Sequence, residues 1–81
     1  MTVQKVREIL EKNGRLSIPV SELSDDSDLY NAGLTSLATV GLMLALEDEF
    51  NIEIPDSMLG RKTFSSIQSI VDVVERLTQK T

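Results

Sequence analysis

Between Ala38 and Phe50 the chain reads as one helix that is apolar on two sides, and no other stretch constrains the fold as much. At about 100° per residue, Leu42, Met43, Leu46 and Phe50 gather on one arc. Leu37, Val40 and Leu44 gather on a second, with Gly41 and Asp48 on that side and Glu47 at its edge. The larger set is expected to face a core. The second has two readings: a later helix buries it in a small bundle, or it is a spare apolar strip beside acids that meets a partner. Val40 lies nearest the core arc and is the least distinct member. Gly41 bears on the same choice, because a glycine inside a helix costs about 1 kcal/mol relative to alanine. Either the helix tolerates it, or another backbone or a partner approaches there.

The helix opens at Gly33-Leu34-Thr35-Ser36-Leu37, where a long acidic loop ends. A helix N-terminus presents free N–H groups and the positive end of the dipole, which favour an attached anion such as a phosphate. Most serines at such a joint are caps, worth about 1 kcal/mol. If Thr35 takes the cap, the Ser36 hydroxyl is free. The chain contains no histidine and no cysteine. Ser36 therefore has no base to activate it, and chemistry at its hydroxyl requires another enzyme.

Around this joint the rest of the chain reads as packing. Thr2 opens a first helix to about Asn13, with Val3, Val6, Ile9 and Leu10 on one face, Lys5, Glu8, Glu11 and Lys12 on the other, and Asn13-Gly14 as the stop. Arg15 to Thr35 is a long connection broken by Pro19, Ser/Asp positions and Asn31-Ala32-Gly33. Ile18, Val20, Leu23, Leu29, Tyr30 and Leu34 are expected to pin it to the core, with a short helical turn near Val20 to Leu23. Asn51 ends the second helix. An extended piece, Ile52-Glu53-Ile54, leads to Pro55 and a short helix, Asp56 to Leu59, stopped by Gly60. The last helix is expected from Ser65, where Ser65-Ser66-Ile67-Gln68 has a capping-box pattern. Ile67, Ile70, Val71, Val74 and Leu77 repeat on one face, with Glu75, Arg76 and Lys80 on the wet side or in the frayed end. The expected class is all-α: three main helices and one short helix, a four-helix arrangement with a long loop between the first and second, in one domain spanning residues 1–81.

Composition narrows the function. A chain of 81 residues builds a modest core and is not expected to enclose a deep catalytic cavity as well, so it is not expected to be an enzyme. Without cysteine or histidine there is no thiolate nucleophile, no Ser/His/Asp triad and no thiolate or imidazole metal site, and no metal site is expected. The net charge of −5 argues against nucleic acid and anionic lipid as partners. No apolar run reaches the ~18 residues of a membrane span and no signal-peptide pattern opens the chain, so a soluble, cytoplasmic monomer is expected. The charges are segregated. No Lys or Arg lies between Leu16 and Gly60, a stretch that holds nine acids. This negative middle is either ordinary solvation or a docking surface for basic partners, with Glu47 and Asp48 its candidates on the second helix.

Several of these residues together carry a family likeness. Asp28-Leu29, Gly33-Leu34-Thr35-Ser36-Leu37, Val40, Leu42, Ala45-Leu46-Glu47, Glu49-Phe50 and Ile52-Glu53-Ile54-Pro55 resemble the acyl carrier protein family over essentially the whole chain. The resemblance implies that Ser36 bears 4′-phosphopantetheine as a phosphodiester, attached by a separate phosphopantetheinyl transferase, and that the prosthetic thiol holds an acyl or aminoacyl group as a thioester. It implies a loading ligase and acyltransferase or synthase partners with basic docking patches; the periodicity and charge pattern above offer Leu37, Val40, Leu44, Glu47 and Asp48 as the residues that meet them. Two departures matter. Thr35 stands where the commonest motif has Asp, and Ala38 and Gly41 stand where fatty-acid carriers usually have acids. The first bears on metal and transferase binding, which that Asp often assists; the second favours a specialised carrier over housekeeping fatty-acid synthesis. The expected pathway is of the lipid or polyketide type, with an aminoacyl or peptidyl carrier loaded by a dedicated ligase as the alternative. A rival from another class is an unmodified helical adaptor that binds through Leu37, Val40 and Leu44.

Overall fold

Apolar spacing of three and four residues becomes three α-helices in the computed structural model, which describes residues 2–58 and 60–78. They are α1 (Thr2–Asn13), α2 (Ser36–Phe50) and α3 (Ile67–Thr78), with 3₁₀ turns at Val20–Glu22 and Asp56–Met58. There is no strand among the described residues. The fourth helix of the expected arrangement is only the 3₁₀ turn Asp56–Met58, and the Leu59 assigned to it lies outside the described residues, as does Lys80.

α1 packs against both α2 and α3, while α2 and α3 meet each other less. Val6, Ile9 and Leu10 of α1, Leu42 and Leu46 of α2, and Ile67, Ile70, Val71 and Val74 of α3 form one buried cluster. Full burial of each such side chain stabilises by roughly 1.5–3 kcal/mol. Met43 and Phe50 are only partly buried against this cluster, so the core arc of α2 is narrower than its composition suggests. Phe64 is also in the core, although it precedes α3 and no helical periodicity points to it.

The ends of the helices follow local chemistry. Gly14 N–H donates to Leu10 O (2.7 Å), and a Cβ at Gly14 would meet that oxygen at 2.7 Å. The left-handed residue is Arg15, at φ 52°. At the end of α2, Asn51 takes the left-handed conformation (φ 53°) and donates its N–H to Glu47 O. α3 starts later than expected. Ser66 is its cap, its Oγ accepting from Ser69 N–H (3.1 Å), and Gln68 does not close a capping box because its side chain donates to Asp72 (2.9 Å).

The connection Arg15 to Thr35 is held at both edges. Ser17 N–H and Ser17 Oγ both donate to Ala32 O at 2.9 Å, which ties the loop's beginning to its end. Leu29 N–H donates to Ser65 O (2.8 Å) and Gln68 N–H to Asp25 O (2.9 Å), which tie it to the start of α3. Val20, Leu23, Leu29 and Leu34 are buried as expected, and Ala32 joins them. Ile18 does not: it is 37% exposed. Pro19 has a polyproline-like backbone, in which residues two apart do not share a face, so Val20 turns inward and Ile18 stays outside.

Candidate functional site

Ser36 is delivered by the turn before it. Asp28 Oδ1 accepts from Tyr30 N–H (3.0 Å), and Leu34 N–H donates back to Leu29 O (3.0 Å). Gly33 sits at φ 111°, where a Cβ would meet Ser17 N at 2.9 Å. Backbone conformation and space both require glycine there. Leu34 then anchors in the core, and the chain emerges at Thr35.

Thr35 is the N-cap of α2. Its Oγ1 accepts from Ala38 N–H (3.1 Å), and its carbonyl accepts from Thr39 N–H (3.0 Å). Ser36 is therefore the first helical residue. It is exposed, and among the described residues its hydroxyl has no hydrogen-bond partner. The N–H groups of Ser36 and Leu37 are those a helix leaves unsatisfied at this end. The cap thus comes from the residue before the serine, which leaves the serine oxygen free, and Thr35 keeps the capping role that an Asp there would also fill.

The second arc of α2 is not core. Leu37 is 85% exposed, Val40 52% and Leu44 56%. No later helix covers them, because α3 packs chiefly on α1. A Cβ at Gly41 would meet nothing within 4 Å, so among the described residues no other segment's backbone approaches it.

The two acids of α2 part company. Asp48 is exposed and borders a groove of about 230 Å³ between α1 and α2. Glu47 is half-buried, and its Oε2 accepts from Ile54 N–H (2.8 Å). It holds the extended segment Ile52–Ile54 against the end of α2. A candidate docking acid is thereby also a structural acceptor, which helical periodicity cannot reveal because its partner lies beyond the helix. Two further residues escaped the sequence reading. Arg7 donates to Val20 O (3.0 Å), Leu23 O (2.9 Å) and Asp25 Oδ1 (2.7 Å), so it clamps the long loop. Arg61 lies over the Tyr30 ring at 3.9 Å and accepts the tyrosine hydroxyl at its carbonyl (3.0 Å).

Lys12 and Arg15, at the end of α1, come beside the start of α2. With Thr35, Leu37, Ala38 and Gly41 they line a second groove, of about 370 Å³. Neither cation forms an ion pair among the described residues. No group of carboxylates among the described residues could hold a metal ion, and no described helix is long and apolar enough to cross a membrane.

An exposed, unpartnered hydroxyl at a firmly capped helix start, in a small helical frame, fits the attachment site that the family resemblance implies. Residues 4–76 match the family model described as phosphopantetheine attachment site, and the chain belongs to this family of phosphopantetheine-binding carrier proteins. Its cofactor is covalently attached 4′-phosphopantetheine. The chain is 53% identical over 70 residues to the aminoacyl carrier protein of Agrobacterium fabrum (strain C58 / ATCC 33970), covering 86% of this chain and 84% of that protein. It is 48% identical over 59 residues to the D-alanyl carrier protein of Streptococcus pyogenes serotype M5 (strain Manfredo), covering 72% and 73% respectively. Among solved structures it is similar to a crystal structure of an engineered Bradyrhizobium japonicum glycine:[carrier protein] ligase complexed with carrier protein from Agrobacterium tumefaciens and ATP. That match has a TM-score of 0.91 and 48% identity, and covers 95% of this chain and 100% of the other. The residues at the start of α2 fit the group: a free hydroxyl to esterify, and backbone N–H groups to face its phosphate.

Proposed function

We propose that this chain is an aminoacyl carrier protein in which Ser36 bears the 4′-phosphopantetheine. The carrying observation is the division of labour at the start of α2, with Thr35 as cap and Ser36 exposed and unpartnered. When bound, the group supplies the thiol that the chain itself lacks, able to hold an amino acid as a thioester. The partners are a phosphopantetheinyl transferase, whose own base must take the Ser36 proton, and a carrier-protein ligase that loads the thiol. The aminoacyl reading rests on the names of the relatives; fatty-acyl and polyketide cargo have no such support. Leu37, Val40 and Leu44 form the apolar part of the partner surface and Asp48 its charged part. The chain acts as a substrate of these enzymes, in the cytoplasm.

The test is loading in vitro. Treated with a broad-specificity transferase and coenzyme A, the protein gains the mass of one phosphopantetheine. With ATP, glycine or alanine and the Bradyrhizobium ligase, it then gains an amino acid that hydroxylamine removes, as expected of a thioester. No mass gain in the first step overturns the carrier reading and favours the unmodified adaptor. A gain in the first step, with acyl but not aminoacyl loading by candidate ligases, overturns the cargo.

A further inference from the structure

Lys12 and Arg15 are out of place in the charge pattern. No other Lys or Arg lies between Lys12 and Gly60. The fold nevertheless brings these two together against the opening of α2, on both sequence neighbours of Ser36: Thr35 and Leu37 line the same groove as the two cations. Lys12 has an ordinary explanation, since it closes the last turn of α1 and complements the helix dipole. Arg15 lies beyond that helix, in the left-handed conformation, and has no carboxylate partner among the described residues.

The groove is lined by the two cations Lys12 and Arg15 together with Leu37, Ala38 and Gly41. Its volume of about 370 Å³ falls at the lower end of the range of roughly 300–1,000 Å³ typical of small-molecule sites. Gly41 has no packing reason among the described residues, as nothing lies within 4 Å of a Cβ built there. Gly41 lines the groove, and a large side chain there is expected to narrow it.

We propose that this groove between the end of α1 and the start of α2 is the resting seat of the prosthetic arm on Ser36. The inference rests on the carrier reading above. The occupant is committed by charge and by tether. A phosphodiester on Ser36 is an anion, and Lys12 and Arg15 are the cations of the groove that its neighbours Thr35 and Leu37 line, Ser36 itself lying outside that lining. The pantetheine portion is amide-rich with a branched apolar centre, which suits a groove lined by Leu37, Ala38 and Gly41. Seating the arm against α1 keeps it off the exposed Val40 and Leu44, so a partner can meet that part of the strip while the arm is at rest.

The test uses the full chain, ¹⁵N-labelled, before and after modification with coenzyme A and transferase, with intact mass confirming the conversion. Seating predicts amide shift changes at Asn13, Arg15 and Gly41 as well as beside Ser36. In Lys12→Glu/Arg15→Glu and, separately, in Gly41→Leu, the distant changes shrink while those beside Ser36 persist. High salt should weaken the response of the native chain, because the cations are exposed. Both variants alter solvent-facing positions, so unmodified spectra should keep the core resonances of Leu42 and Ile70. Shift changes confined to Thr35–Ala38, or spread instead along α3, overturn the seat while the mass gain leaves the carrier reading standing. Distant changes that survive both variants also overturn it. A chain that gains no mass removes both readings.

Discussion

Two neighbouring hydroxyls, Thr35 and Ser36, carry different duties, and the difference is a matter of which one the helix uses. Ser36→Ala should fold as the native chain does and lose all modification, read by intact mass. Thr35→Ala should still be modified but lose the cap, at a cost of about 0.5–2 kcal/mol in a denaturant melt. Modification of Ser36→Ala would move the attachment to Thr35. Glu47 and Asp48 divide in a parallel way. Glu47→Lys removes the acceptor of Ile54 N–H and should cost about 1–3 kcal/mol. Asp48→Lys should stay within about 0.5 kcal/mol of native and slow capture by a partner with a basic patch, more at low salt. Equal losses of stability in the two variants would show that the Glu47 contact contributes nothing. The sequence offered Ser36 and Asp48 as candidates, and both are exposed. It could not separate Glu47 from Asp48, because the acceptor role depends on a chain reversal at Asn51.

α2 is the element whose two faces the sequence described and whose environment it left open. The exposed arc should tolerate truncation: Leu37→Ala and Leu44→Ala are expected within about 0.5 kcal/mol. Leu42→Ala and Leu46→Ala, which empty fully buried positions, should cost roughly 2–5 kcal/mol. Phe50 belongs between the two groups because it is only half-buried. The exposed-arc variants should nevertheless slow transfer to or from a partner enzyme. Gly41→Ala should raise stability by about 1 kcal/mol, since nothing opposes a methyl group there and the helix gains propensity. Urea melts of these five variants check the assignment. Destabilisation by Leu37→Ala or Leu44→Ala as large as that by Leu46→Ala would make the strip core.

At the scale of the molecule, the three helices depend on the long loop being tied down, and Arg7 is the tie. Its bonds to two loop carbonyls and to Asp25 span from α1 across Val20–Asp25. Arg7→Ala should lower stability by about 1.5–3 kcal/mol and speed amide exchange in the loop. Asp25→Ala, which removes only a half-exposed ion pair, should cost no more than about 1 kcal/mol. If the two cost the same, the carbonyl bonds carry no weight. The sequence by itself determined what is local. Helix periodicity placed α1, α2 and the apolar face of α3, a hydroxyl pair marked the start of α2, and Asn31-Ala32-Gly33 marked the end of the long loop. Only the tertiary structure decided what those faces meet. An apolar arc has the same spacing whether a helix covers it or water does, so the exposure of Leu37, Val40 and Leu44 followed from α3 packing on α1. Arg7, Glu47 and the groove of Lys12 and Arg15 were hidden for the same reason. Their partners lie far along the chain, and no local pattern encodes a contact that forms only when two distant segments close on each other.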